Sequence, residues 1–175
     1  MKNILLILVL SIVSISCKPN YVVSQHIIQK ATICPENSNC SIELIPNKSI
    51  EFKTDNIGIL YPVITEGEKT ILKYTFNKNP ISNTQDSNYT EIVYAELDKN
   101  ITEIDLTDTD FKNVKLYFGR LCYCKGATGY YPIKKGTFKL TKVSKNTLKI
   151  NLNFEISEVP QIISEINETI SLKSN

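Results

Sequence analysis

The sequence predicts an all-β protein: an antiparallel β-sandwich or barrel-like fold of about nine or ten short strands, linked by disulfides. Three observations lead there. Stretches of about five to eight residues alternate apolar and polar side chains, with turn residues between them, which is the pattern of half-buried strands. β-Branched residues recur throughout, while only six of the 175 residues are glycine. Four cysteines follow residue 17, an even number that suits pairing in an oxidising compartment.

The strands are read in order. Tyr21 to Ile33 makes a first strand. Ser41 to Ile45 and Ser49 to Thr54 flank Pro46-Asn47-Lys48, which has hairpin-turn chemistry. Gly58 to Thr65 and Lys69 to Asn77 flank Glu66-Gly67-Glu68 in the same way. In the second of these, Leu72, Tyr74 and Phe76 share a face opposite Ile71, Lys73 and Thr75. Asn77 to Asn88 is a polar loop containing Pro80. Thr90 to Leu97, Glu103 to Leu106 and Val114 to Cys124 are further strands. Thr137 to Val143 and Thr147 to Ile156 form the clearest hairpin, turning at Ser144-Lys145-Asn146. Its second arm alternates Leu148, Ile150, Leu152, Phe154 and Ile156 with polar residues, so one face is buried and one is wet. Val159 to Leu172 reads as a strand with an irregular lead-in. A helical turn after Pro160 is the alternative.

Charge narrows the function classes. The net charge is +2, and Arg120 is the only arginine. Binding nucleic acid calls for a basic stripe, usually with arginines that grip bases or phosphates bidentately. The composition argues against that partner.

The first residues read as an export signal. Lys2 precedes an apolar run from Ile4 to Ile15, too short to span a bilayer, and small residues follow. Ser14-Ile15-Ser16-Cys17 then places a small residue directly before a cysteine. This resembles the lipobox of bacterial lipoproteins, although Leu, Val or Ile is commoner where Ser14 stands. The resemblance covers residues 1–17 and implies removal of 1–16 and lipidation of Cys17. Simple secretion after an ordinary signal-peptidase cut is the alternative. Residues 17–22 are then the lipid anchor and tether, and 23–175 a single β domain. Stable anchoring needs more than one acyl chain, which a lipidated Cys17 supplies. The implied location is the bacterial cell envelope, at the outer membrane. Lys18 is not the Asp that marks inner-membrane retention. The acidic run of surface-exported Bacteroidetes lipoproteins is missing, so the membrane face stays open.

Cys34, Cys40, Cys122 and Cys124 are expected to form disulfides. On a continuous strand, Cys122 and Cys124 point to opposite faces with their Cα atoms near the limit for a bridge. The expectation is therefore cross-pairing between the Cys34/Cys40 loop and the Cys122/Cys124 strand. Each such bridge would close a loop of roughly 80 to 90 residues, worth about 4 kcal/mol in the chain-entropy model. Zinc sites favour C-x₂₋₄-C pairs, and the spacings here are C-x₅-C and C-x-C with no histidine nearby, so structural disulfides are preferred to a zinc site or a redox pair.

The densest unusual chemistry lies between Tyr117 and Tyr131. It holds the lone arginine, four tyrosines and three glycines, with Gly126 and Gly129 in a flexible loop. Tyr117, Arg120, Tyr123, Tyr130 and Tyr131 are the candidate binding residues, since Tyr and Arg dominate binding hot spots. The structural alternative has the tyrosines packing and Arg120 pairing with a carboxylate. Lys125 to Gly129 lacks the spacing and following helix of a phosphate loop. Asp105, Asp108 and Asp110 lack the glycine and closing glutamate of a calcium loop, and turn capping explains them better. His26 is the only histidine and no G-x-S-x-G occurs, so no nucleophilic system is assembled. N-x-S/T sequons at Asn39, Asn47, Asn88, Asn100 and Asn167 suit chance in an asparagine-rich chain.

The expected function is a lipid-anchored, non-enzymatic envelope module, binding or structural, for a protein or a glycan. No cofactor is implied. A β-barrel carrier of a small apolar ligand is the alternative and requires an internal apolar cavity. An envelope hydrolase is a third and requires converging polar groups in a cleft.

Overall fold

Alternation at period two gives each strand one apolar face, and two sheets bury those faces against each other. The computed structural model describes residues 21–172, and every strand pairing in it is antiparallel. The strands are β1 (Tyr21–Val22), β2 (Ile27–Lys30), β3 (Ser38–Thr54), β4 (Leu60–Lys78), β5 (Tyr89–Asp98) and β6 (Asn100–Ile101). They continue with β7 (Ile104–Thr107), β8 (Tyr117–Cys122), β9 (Gly129–Pro132), β10 (Lys135–Ser144), β11 (Thr147–Glu155) and β12 (Glu165–Ser171). A 3₁₀ helix, Asp108–Val114, joins β7 to β8.

The six-stranded sheet has the order β2-β3-β4-β5-β8-β9, and the four-stranded sheet the order β12-β11-β10-β7. Neither closes on itself, so the sandwich is formed and the barrel is not. β1 and β6 make a separate two-stranded ribbon. Between the sheets, Leu72, Tyr74, Phe76, Val93, Ala95 and Phe118 meet Phe138, Leu140, Leu148, Ile150, Leu152 and Phe154. The Phe118 and Phe154 rings lie 5.8 Å apart. Large side chains such as Phe76, Phe111, Phe118 and Phe138 fill this interior.

The hairpin from β10 to β11 forms as the alternation requires, pairing Phe138 with Leu152 and Leu140 with Ile150. The C-terminal segment forms β12 after an irregular lead-in. The two turns expected near Asn47 and Gly67 do not form. Pro46-Asn47-Lys48 and Glu66-Gly67-Glu68 instead face each other across a bulge, where Pro46 pairs with Thr70 and Lys48 with Glu66. Asn47 takes the left-handed conformation there (φ 55°). Four expected strands thus become two long ones, and the true hairpin turn lies at Asp55 to Ile59, where Asp55 accepts the Ile57 and Ile59 N–H groups. The first expected strand breaks into β1 and β2. The start of the one expected from Val114 is taken by the 3₁₀ helix, which ends at Lys115 with φ 41°.

Beyond the bulge, the β3–β4 hairpin folds over the outer face of its own sheet. Phe52 stacks on Tyr117 at 3.7 Å between centroids and meets Tyr94 edge-on at 6.3 Å. Ile50, Ile71, Ile92 and Tyr94 form a second, smaller core beneath it. Tyr130 lies in this cluster with its ring across Gly119, where a Cβ would sit 2.4 Å from the ring.

A recess at the Cys122–Cys124 turn

The disulfides connect differently from the expectation. Cys34 pairs with Cys40 and Cys122 with Cys124, with Cα separations of 5.6 and 5.2 Å. A Cys122–Cys124 bridge is disfavoured only where the strand is continuous. β8 ends at Cys122, the chain bends at Tyr123, and Cys124 comes back beside its neighbour. Cys34 and Cys40 approach through a turn in which Asn37 adopts φ 55°. Among the described residues no group of three or more His, Cys, Asp or Glu could hold a metal ion. Asp105 instead pairs with Lys139 at 3.0 Å, and Asp108 accepts the Gly136 N–H at 2.8 Å. His26 Nε2 lies 3.1 Å from Glu43.

The five candidate binding residues divide between faces. Tyr117 and Tyr130 point outward, under the folded-over hairpin, with Phe52 against both rings. Tyr131 points inward and packs on the main core. Arg120, also inward, donates from Nε to the Tyr89 hydroxyl at 3.1 Å and from Nη1 to the Ala127 carbonyl at 3.1 Å. Its guanidinium also sits over the Tyr89 ring, 5.2 Å from the centroid. Tyr123 stands alone in solvent, 85% exposed. The alternation that makes β8 and β9 strands is what separates these side chains. Cys17 lies outside the described residues.

Arg120 and Tyr123 nonetheless share one feature. A recess of about 410 Å³ is lined by both, with Tyr89, Cys122, Cys124 and Ile162 among its other walls. Ile81, 60% exposed, and Ile162, 45% exposed, stand in its lining beside Tyr123. Sequence reading missed Ile81 and Ile162, which come from the loop after β4 and from the lead-in to β12. The pairing of β5 with β8 brings Ile81 to the Cys122–Cys124 turn, and the packing of the second sheet brings Ile162.

Glu91 builds the recess from below. Its carboxylate is only 1% exposed and accepts three hydrogen bonds: Tyr89 Oη at 2.5 Å, Ile162 N–H at 2.7 Å and Ile163 N–H at 2.7 Å. It thereby pins the β11–β12 connection of one sheet to β5 of the other. Arg120 reaches this carboxylate through the Tyr89 hydroxyl rather than directly. Burial raises the Tyr89 hydroxyl to about 12, with the Glu91 hydrogen bond adding to the shift and Arg120 opposing it. The phenol is therefore neutral at ordinary pH and donates to Glu91 while accepting from Arg120.

A larger recess of about 590 Å³ lies beside Tyr117, with Lys112, Lys115 and Lys134 around it. Lys115 is paired with Glu96 at 2.9 Å and Lys134 with Glu158 at 2.8 Å. Its cationic character is therefore largely spent on internal pairs. Compared with known proteins, the chain matches no family model, no curated protein and no solved structure.

Proposed function

We propose that this protein is an exported envelope module, anchored through lipid on Cys17, that binds a protein partner at the Cys122–Cys124 recess. One observation carries the binding half: Tyr123 is held out, 85% exposed, on a short disulfide-closed turn beside exposed Ile81 and Ile162. A tyrosine and two isoleucines left in water around a concave floor favour a partner that covers them. Polar side chains such as Lys78, Asp86, Asn88 and Gln161 also line the recess, and a protein surface is favoured over a glycan because two exposed aliphatic side chains, Ile81 and Ile162, flank Tyr123.

The position of β1 supports this reading. β1 pairs with β6 next to the Asp98 end of β5, whereas the recess adjoins the Tyr89 end. Ten residues of strand separate those ends, about 30 Å at the usual rise. Cys17 to Tyr21 reaches about 14 Å at full extension. A lipid on Cys17 would therefore keep the β1–β6 end near the membrane and hold the recess away from it.

Two measurements test this. Intact mass of the protein extracted from membranes should show an acyl increment that Cys17→Ser removes; an unmodified Cys17 overturns the anchor. A photoreactive side chain placed at position 123 or 81 should cross-link one discrete envelope protein in living cells, while the same group at Lys149, on the far sheet, should not. Equal or absent adducts at all three positions would overturn the binding site.

A further inference from the structure

We infer that Cys122–Cys124 is an exchangeable disulfide that oxidises a dithiol presented by an exported protein, whereas Cys34–Cys40 is structural. The two bridges differ in where they sit. Cys40 is buried in the main core and Cys34 packs against it. Cys34, Cys122 and Cys124 are all half-buried, but Cys122 and Cys124 both line the recess, either side of the exposed Tyr123, and Cys34 does not. A bridge that opens onto a recess is one a thiolate can reach.

The two bridges also differ in what they hold together. A bridge between residues two apart closes so small a loop that it restricts the unfolded chain little. Nor does the turn depend on it. Ala127 N–H donates to the Cys124 carbonyl at 3.2 Å, the Thr128 hydroxyl to the Arg120 carbonyl at 3.1 Å, and Arg120 Nη1 to the Ala127 carbonyl at 3.1 Å. These bonds brace the segment from Arg120 to Thr128 independently of the bridge. Arg120 and Cys122 stand two apart on β8 and so share a face, which places the chain's one arginine in the same recess as the sulfurs. Lys78 and Asp86 are the other charged side chains lining the recess; a cation close to the sulfurs favours a thiolate and a carboxylate opposes it, so the arginine's effect is what its substitution measures.

A partner thiolate attacks one sulfur of the pair, forming a mixed disulfide and releasing the other cysteine as a thiolate. The partner's second thiol, having given up its proton, attacks its own chain's sulfur in the mixed disulfide and expels the remaining cysteine. Two electrons pass to this chain. Cys122 and Cys124 end as thiols with the two protons the partner lost, and the partner ends as a disulfide. The exchange adds a chemistry to the recess and does not require the cross-linking partner proposed above, since a free peptide can serve as the dithiol.

The test uses the full chain with its native bridges and a reduced, unstructured peptide containing two cysteines. Thiols are trapped by alkylation at graded peptide concentrations and mapped by mass spectrometry. Cys122 and Cys124 should become alkylatable at about tenfold or more lower dithiol than Cys34 and Cys40, with the peptide recovered oxidised in equal amount. The double variant Cys122→Ser/Cys124→Ser should keep its melting temperature and lose the exchange. Arg120→Gln should move the pH dependence of Cys122 and Cys124 alkylation in the reduced protein to higher pH, and Arg120→Lys should restore most of it. Equal resistance of the two bridges overturns the inference. So does a double-serine variant that unfolds, or an alkylation profile indifferent to Arg120.

Discussion

Glu91 and Glu168 do the same work from opposite sheets. Glu168, 2% exposed on β12, accepts the Thr32 N–H at 2.9 Å, the Thr32 hydroxyl at 2.8 Å and the Ile33 N–H at 3.1 Å. It fastens the β2–β3 connection to the four-stranded sheet, as Glu91 fastens the β11–β12 connection to the six-stranded one. Each interrupts an apolar row, because Ile166 and Ile170 flank Glu168 on its face and Tyr89 and Val93 flank Glu91. In sequence such a residue reads as a misplaced charge. Its meaning appears only when a connection from elsewhere offers it N–H groups. Removing the acceptor strands those donors, so Glu168→Ala should lower stability by about 3 kcal/mol in urea unfolding. Tyr123→Ala, which removes no internal contact of this kind, should change it by about 0.5 kcal/mol or less. If Glu168→Ala behaves like Tyr123→Ala, the carboxylate is not a clasp.

At the scale of the element, the folded-over hairpin is the feature the sequence misreported. Pro46 has no N–H and Asn47 tolerates positive φ, and those traits serve a hairpin turn and a bulge equally well. What decides between them is the opposing strand, where Glu66-Gly67-Glu68 supplies the other side of the bulge. A side chain at Gly67 would collide with Ser49, at 2.1 Å from its Oγ, so the tight approach needs glycine. The arm is then held by Glu96, which accepts the Ile50 N–H at 2.8 Å, and by Lys115, which donates to the Ile50 carbonyl at 2.9 Å. Phe52 supplies its aromatic contact. We expect Phe52→Ala to lower stability by about 2 kcal/mol. Amide exchange should rise in residues 48–66 while β10 and β11 keep their protection. A uniform rise along the chain would show that the arm does not open as a unit.

For the whole molecule, buried phenols tie stability to alkaline pH. Burial raises the Tyr74 and Tyr89 hydroxyls to about 12, and pushes Tyr94 and Tyr130 upward as well. Glu168 and Glu91 add to the shift at Tyr74, which links the phenol between the sheets to both clasps. An unfolded tyrosine ionises near 10. Below that pH both states hold the proton and this contribution is fully present. Above it the unfolded chain loses protons that the native state retains, so stability falls as pH rises from about 10 towards 12. Melting temperature measured against pH should therefore decline in that window, with tyrosinate absorbance rising together with unfolding. Tyrosinate appearing well below the unfolding pH from all nine tyrosines at once would contradict the burial of Tyr74 and Tyr94.

The sequence by itself determined which residues face inward along Lys69 to Asn77 and Thr147 to Ile156, and where the β10–β11 hairpin turns. It also determined that the chain is antiparallel β-structure with its four later cysteines bridged. Those properties follow from a two-residue side-chain period and from turn chemistry, which act over a few residues. Tertiary structure alone decided the pairing of the cysteines, the merging of four expected strands into two, and the short β9. It also split the Tyr117–Tyr131 cluster, half-burying Tyr130 under the folded arm, turning Tyr131 inward and leaving Tyr123 exposed beside Ile81 and Ile162. Each of these depends on which distant segment arrives opposite a given strand. That choice is set by the packing of two sheets and a folded arm, and no local pattern encodes it.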